Sequence, residues 1–474
     1  HDNIHLLVFS FTGYKADTIS VSPAEEIKVV LASGHSLQEV KVSAVRRSSY
    51  LSPLSPLMTT VMSERELFKA ACCNLSESFE TNPSVDVAYN DAVTGSRQIQ
   101  LLGLAGVYSQ LTLESLPGPR GLAAAYGINY IPGPWIESIQ LTRGTGSVVN
   151  GYESIAGQIN VEMKKPESAE RFYLNGYINS MGKTDLNLVL SQKLGKKWST
   201  ALLLHDDFLQ NKTADMNHDG FRDLPTGNQF SVFNRWKYDN ANGLLFQAGF
   251  KYMKEDRTGG ETAFDPSVDK FSMNHYGLGI QTTRTEAFSK LGYVFPQKKY
   301  KSIGLQLSGF RHDQHAYYGM MIYNALQDNF YANLIYQSII GTTKHKFRTG
   351  LSMNADKFRE LYRSVRFDRN ETTPGVFFEY TFSPDDKFSA VAGLRADHNS
   401  IYGTFITPRL HIRYAPVKGT TFRFSGGRGQ RTANILADNA GLLASSRIIM
   451  IMGGQSGKAY GLDQEVAWNE GVSL

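Results

Sequence analysis

Cysteine is almost absent: the 474 residues include two, Cys72 and Cys73, side by side. That excludes a disulfide framework. Long hydrophobic runs are missing as well, and no stretch approaches the roughly 20 apolar residues that a membrane-crossing helix needs. A membrane is not excluded by this, because a β-barrel crosses with alternating strands whose signal is weak per segment. Charge of one sign is scarce too. A net charge of +5 over this length gives no basic surface for nucleic acid, which is not expected as a partner.

What the chain has in quantity is glycine, 43 residues, and aromatic side chains at 12%. That balance suits a mainly β protein with many turns and amphipathic strands, and the length asks for at least two structural units. Three sections differ in character. Residues 1–35 hold a short β segment, LLVFSFTGYKADTISV. Residues 36–166 are mixed α/β, with a polar helix expected over Ser63–Phe79, Ser63 as its N-cap and Glu66 completing a capping box. Residues 167–474 read as strands only.

The last section decides the class. Phe388, Ala390, Ala392 and Leu394 share one face, opposite Ser389, Gly393 and Arg395. Leu410, Ile412 and Tyr414 oppose Arg409, His411 and Arg413, and Ile303, Leu305 and Leu307 oppose Gln306 and Ser308. A period of two with one apolar and one polar face is what a lipid-facing wall around a wet lumen requires. Short turns, such as 193–197, 239–243, 296–301, 341–346, 383–387 and 416–420, alternate with longer polar loops at 206–227, 255–274, 311–328, 356–372 and 430–460. Outer-membrane barrels have that parity, short turns on the periplasmic side and long loops outside.

Four segments resemble TonB-dependent receptors of the Bacteroidetes type, which carry a carboxypeptidase-D-regulatory-like N-terminal extension. Leu7–Ile19 is similar to the end of that extension, and LQEVKVSA to a TonB box leading into a plug. QIQLLGL resembles a plug strand, and WIESIQLTRGTGSVVNGYESIAGQINVEMKKP the plug's end. The resemblance implies an antiparallel transmembrane β-barrel of 22 strands with a plug in its lumen. About 13–14 strands are expected here, so the chain is expected to carry part of that barrel, with its N-terminal extension also partial. It implies an outer-membrane location in a Gram-negative cell and no enzymatic activity. The implied function is TonB-driven import of a scarce nutrient: a metal chelate, siderophore, heme or cobalamin. Alternatives are a glycan or peptide importer working with a surface lipoprotein, or copper import. The implied partners are TonB with ExbB-ExbD, outer-membrane lipid and a small nutrient ligand.

Leu37, Gln38, Glu39, Val40, Lys41 and Val42 form the candidate TonB box, an extended segment able to add a strand to a sheet edge. The alternative is an ordinary strand joining two domains. Asp215, Asn217, Asp219, Phe221 (through its carbonyl) and Asp223 are spaced as oxygen ligands of a calcium loop, with Gly220 at the sharp turn and Thr226 where a closing glutamate would stand. The implied group is a structural calcium; a solvated acidic turn has the same spacing. No catalytic cofactor is expected. His312, His315, Met320 and Met321 are expected in one extracellular loop as candidate cargo ligands, against ordinary surface roles. Cys72 and Cys73 are expected to be structural and to face the periplasmic side, with the plug's outer apex formed by 108–134. Arg409, His411, Arg413 and Arg423 are expected to point to the lumen, pairing with acidic plug residues or guiding anionic cargo.

Overall fold

The computed structural model describes residues 5–9, 17–21, 29, 49–52, 55–67, 73–79, 82, 85–445, 447, 449–451 and 457–474. The chain divides into two compact units, His1–Arg47 and Ser48–Leu474. In the first, His5–Phe9 and Asp17–Val21 form an antiparallel hairpin.

The second unit contains a small mixed sheet inside a large one. The inner sheet has the order Ser49–Leu51, Thr59–Ser63, Ile136–Arg143, Gly157–Met163, Ser109–Leu113, Leu116–Pro117, with the fourth and fifth parallel and all other pairs antiparallel. Ile139, Leu141, Ile159 and Val161 are 2% exposed or less and pack with Met62, Leu75, Phe79 and Trp135. The helix expected over Ser63–Phe79 starts where its cap predicts, at Glu64, and is described to Leu67. Residues 68–72, Cys72 among them, lie outside the described residues. From Cys73 the backbone is in turns, and Glu77–Phe79 is a single 3-10 turn. The far end of that helix is therefore a correction. Leu75 N–H instead donates to the Ile131 carbonyl at 2.8 Å and Gly133 N–H to the Cys73 carbonyl at 3.0 Å, setting Asn74 opposite Pro132, which draws this stretch onto the plug's loops.

The outer sheet runs from Phe172–Ile178 to Glu465–Ser473. Fourteen strands follow chain order, each antiparallel to the next, and the two-residue Val365–Arg366 adds to one of them. Its packing inverts that of a soluble protein. Arg235, Lys251, Arg284, Arg395 and Arg409 face inward and are 5% exposed or less, while Phe172, Leu174, Ile178, Trp468 and Val472 face outward and are 64% exposed or more. An apolar outward face suits a lipid surround, and the inward face covers the small sheet. No helix among the described residues is long and apolar enough to cross a membrane.

The strands are longer than the sequence suggests. Thr342–Tyr362 has 21 residues; at roughly 3.3 Å per residue it outreaches a hydrocarbon core of about 30 Å even when tilted. The segment expected as loop 311–328 is instead the top of a hairpin: Ser302–Tyr318 and Met321–Ile340 pair up to Tyr318 and Met321 and turn at Gly319, whose φ is +55°. Here the outward face carries Arg311, Asp313 and His315, and the buried inward face carries His312 and Gln314, so both faces are polar and the apolar alternation stops although the hydrogen-bonded ladder does not. That is why polar sequence there reads as loop.

Candidate functional site: a chamber between plug and wall

A cavity of about 550 Å³ lies over the plug, lined by the plug, the inner wall and the loop after Phe422–Arg431. Arg120 of the plug crosses it, donating to Asp356 of the wall at 2.8 Å and to Glu153 at 2.5 and 3.2 Å. The lining carries Arg97, Arg120, Arg395 and Arg431 against Asp91, Glu153, Asp356, Glu371 and Asp438. Four guanidinium groups and five carboxylates leave it nearly balanced in charge among apolar neighbours, suited to a cargo with several hydrogen-bonding groups rather than to a simple anion. Burial alone would lower the Arg120 pKa; Asp356 and Glu153 outweigh that and raise it well above the ordinary value.

The roof is the loop expected at 430–460, which folds inward. Ile435–Asp438 and Ala440–Leu443 are two short helices, and Leu436 and Leu443, fully buried, pack with Leu122, Ala123 and Tyr126 of the plug and Tyr318, Tyr323 and Tyr362 of the wall. Gly441 is required here, since a Cβ would stand 2.3 Å from the Asn90 carbonyl oxygen. Arg431 holds Asp438 and, at 2.8 Å, Glu465; Thr432 donates to Glu371 at 2.5 Å. The apolar spacing in 433–444 was the available signal for this roof; an inward fold over a plug is not legible from one segment.

Below the chamber the wall grips the plug segment 144–151. Arg409 donates to the Gly146 and Ser147 carbonyls at 3.1 and 3.0 Å, and Arg395 to the Val148 carbonyl at 3.3 Å. Asn333 donates to the Val149 carbonyl at 3.1 Å, and Ser147 donates to Glu379 at 2.5 Å. Gly393 leaves room for Val148, whose methyls would stand 2.7 and 2.9 Å from a Cβ. Arg423 reaches the Ser52 carbonyl at 3.1 Å, and Arg413 that of Asp386 at 2.8 Å. These arginines are buried on the lumen face; the partners found for Arg409, Arg413 and Arg423 are backbone carbonyls and not acidic plug side chains, and the carboxylate that Arg395 meets is Asp397 of the wall, at 2.6 Å. Arg409→Met should remove two charge-assisted bonds and loosen this seat by about 3 kcal/mol. Hydrogen exchange of 144–151 should accelerate markedly while the wall strands stay protected. Unchanged exchange there would refute the grip.

The candidate cargo ligands are not brought together. His312 is fully buried on the lumen face, its ring 6.2 Å from that of Tyr130. His315, three residues on, lies on the opposite face with its side chain 63% exposed. Met320 is exposed at the hairpin tip, and Met321 accepts from the Tyr362 hydroxyl at 3.5 Å. Their placement in one extracellular loop is therefore corrected, since paired strands separate the two histidines by face. Leu37–Val42 lie outside the described residues.

The 215–223 loop turns as its spacing predicts, with Gly220 at φ +85°. Asp215 accepts from the Asp219 and Gly220 amides at 3.2 and 3.0 Å, Asp219 from Phe221 at 2.8 Å, and Asp223 from Met216 at 2.6 Å. The loop is thus closed on its own amides, and fits calcium only in part, with Thr226 still at the closing position. Cys73 is buried near the strand ends at Lys183, Asp185 and Asp207, opposite the short 195–197 turn. It sits toward the long-loop side, not the short-turn side expected for it, because the 73–75 backbone is tied to 131–133. Burial first, then Glu77, pushes its thiol up.

Two family profiles match the chain: "TonB-dependent Receptor Plug Domain" over residues 54–158 and "TonB dependent receptor-like, beta-barrel" over residues 204–469. The vitamin B12 transporter BtuB of Vibrio vulnificus is 29% identical over 140 residues, 28% of this chain and 23% of that protein. Among solved structures, the siderophore receptor PirA from Acinetobacter baumannii aligns with a TM-score of 0.65 at 14% identity, over 79% of this chain and 61% of that one. The ferric enterobactin receptor PfeA from Pseudomonas aeruginosa aligns with a TM-score of 0.66 at 13% identity, over 88% and 69%. At such identities the structural likeness speaks for the fold alone, and the chain spans less than a quarter of BtuB and about three fifths of PirA. With the second profile covering more than half of its length, the chain belongs to the TonB-dependent receptor family, a plug enclosed by an antiparallel β-sheet wall.

Proposed function

We propose that the protein imports a scarce nutrient across the outer membrane of a Gram-negative cell, driven by TonB with ExbB-ExbD. The cargo is a compact polar molecule of the metal-chelate, siderophore, heme or cobalamin kind. One observation carries this: the charge-balanced chamber of about 550 Å³ over the plug, roofed by the 435–443 helices. Its volume falls in the range of small-molecule sites, and its mixed charges suit a ligand with many hydrogen-bonding groups. Cargo held there touches Arg120 on the plug and Asp356 on the wall, so occupancy can be felt at the contact that must loosen for passage. Leu37–Val42 would then present the edge strand that TonB pulls. The 215–223 loop would exchange its internal amide bonds for a structural calcium.

Energised uptake is the test. Cells producing the protein should accumulate either iron-labelled enterobactin or cobalt-labelled cyanocobalamin, the probes suggested by the relatives' names, well above the external concentration. An uncoupler should abolish accumulation and leave surface binding in place. Entry that stops at the external concentration and ignores the uncoupler would mean a passive pore.

A further inference from the structure

Asp185 and Asp207 stand directly opposite each other on the neighbouring strands Thr184–Leu194 and Trp198–Leu209. Like charges at directly opposed positions destabilise a sheet, and Asp185 is only 1% exposed. His205, 2% exposed, is the diagonal neighbour, its Nδ1 3.6 Å from Asp185 Oδ2. One ligand atom from each of Asp185, His205 and Asp207 lies within 4.8 Å of the other two, and among the described residues no other group of three His, Cys, Asp or Glu side chains converges in this way.

The charge around the three is poorly compensated. Lys183 reaches Asp207 at 3.2 Å. Glu77 of the plug, which lines the same small cavity as Lys183 and Asp207, brings a third carboxylate to one ammonium group. Asn187 donates to one oxygen of Asp185, and the other, Oδ2, is buried without a hydrogen-bond partner and lies on the His205 side. A buried anionic oxygen with neither proton donor nor close cation is costly to keep. The site is also reachable: a cavity of about 120 Å³ adjoins Asp207, and one of about 170 Å³ adjoins Asp185.

We propose that Asp185, His205 and Asp207 bind a divalent first-row transition metal on the inner wall, where Cys73 and Trp135 of the plug close over it. Two carboxylates and an imidazole are ligands suited to zinc(II) or its neighbours, with the remaining positions left to water. The Trp135 ring meets that of His205 edge-on at 6.2 Å and 77°, and Asn187 Oδ1 accepts from His205 Nδ1 over 2.9 Å, which leaves Nε2 for a metal. Those contacts fix the imidazole plane beside the two carboxylates. Lys183 is the resident competitor; a metal ion displaces its ammonium group from Asp207.

The test is a zinc(II) titration of the chelator-stripped protein in detergent, followed by cobalt(II) in place of zinc. The wild type should take up one equivalent of zinc that Asp185→Asn and His205→Gln lose, and that His398→Gln, an exposed histidine elsewhere, retains. Lys183→Met should bind it about tenfold more tightly. Gel mobility before and after boiling shows which variants keep their barrel. Equal zinc stoichiometry in the wild type and a folded His205→Gln would overturn the proposal. If the variants do not fold, the wild type decides alone: bound cobalt must show the visible bands of a low-coordinate nitrogen–oxygen site, and their absence overturns it.

Discussion

Glu114→Gln should free the plug from the wall at far lower denaturant than the wild type while the barrel persists. Glu114 sits in the tight turn between Ser109–Leu113 and Leu116–Pro117, with φ +53°, and is 7% exposed. Arg235 of the wall grips its carboxylate with both Nη atoms at 2.7 and 3.0 Å, Lys165 donates at 2.6 Å, and Lys290 of the wall takes the Glu114 carbonyl at 2.6 Å. Removing one partner of a buried pair leaves the other charge unpaired, at a cost of about 3–5 kcal/mol. Arg235, 1% exposed, would keep the Lys164 carbonyl at 3.2 Å and one neutral amide oxygen in place of the bidentate carboxylate. The measurement is ion conductance through single molecules in a planar bilayer as urea is raised. Glu114→Gln should open its pore at clearly lower urea, and opening at the wild-type concentration would remove the latch from this site.

The same carboxylate sets a pH dependence. Burial pushes the Glu114 carboxyl up, but Arg235, then Lys165 and Lys290, hold it down to about 2 from an ordinary 4.5. A depressed carboxylate stabilises the folded state above its unfolded pKa and ceases to do so as pH falls through the folded one. The latch is therefore whole above about 4.5 and lost toward about 2, and at roughly 1.4 kcal/mol per unit it carries about 3 kcal/mol. The wild-type plug should weaken over that acid range, and Glu114→Gln should show a flatter profile.

How far the sequence announces all this follows from the range of each interaction. Parity along a strand is local, so Arg409 and His411 on one face and Leu410 and Ile412 on the other are legible at once, and the structure buries the first pair. Short turns such as 239–243 are legible because Gly243, at φ +96°, marks them. The latch is not: Glu114 and Arg235 are 121 residues apart, and nothing local says which lumen arginine meets which plug group. Nor is the Asp185–His205–Asp207 group, which exists only once the hairpin register sets Asp185 against Asp207. The 311–328 segment failed differently. Its residues read as loop because polar side chains stand on both faces, Arg311 and His315 outside and the buried His312 and Gln314 inside, which erases the alternation that identifies a strand.

The largest effect on transport is expected from Leu37–Val42, which lie ahead of the plug in the chain. If TonB takes this segment as an added strand, its affinity comes from main-chain hydrogen bonds, and side chains contribute little specificity. Three variants separate that mechanism from recognition of particular side chains. Deleting Leu37–Val42 should abolish uptake and binding of the TonB C-terminal domain, with cargo binding at the cell surface nearly unchanged. Val40→Ala keeps the backbone donor and should matter little. Val40→Pro removes one N–H and fixes φ; losing a bond of roughly 1 kcal/mol, with the register disturbed around it, should weaken TonB binding about tenfold or more. The order deletion, then proline, then alanine is the signature of strand addition, measured by titrating the purified receptor with the TonB domain. An alanine variant as damaging as proline would show that the Val40 side chain is read. Uptake surviving the deletion would place the coupling segment elsewhere in the chain, or show that import does not draw on TonB at all.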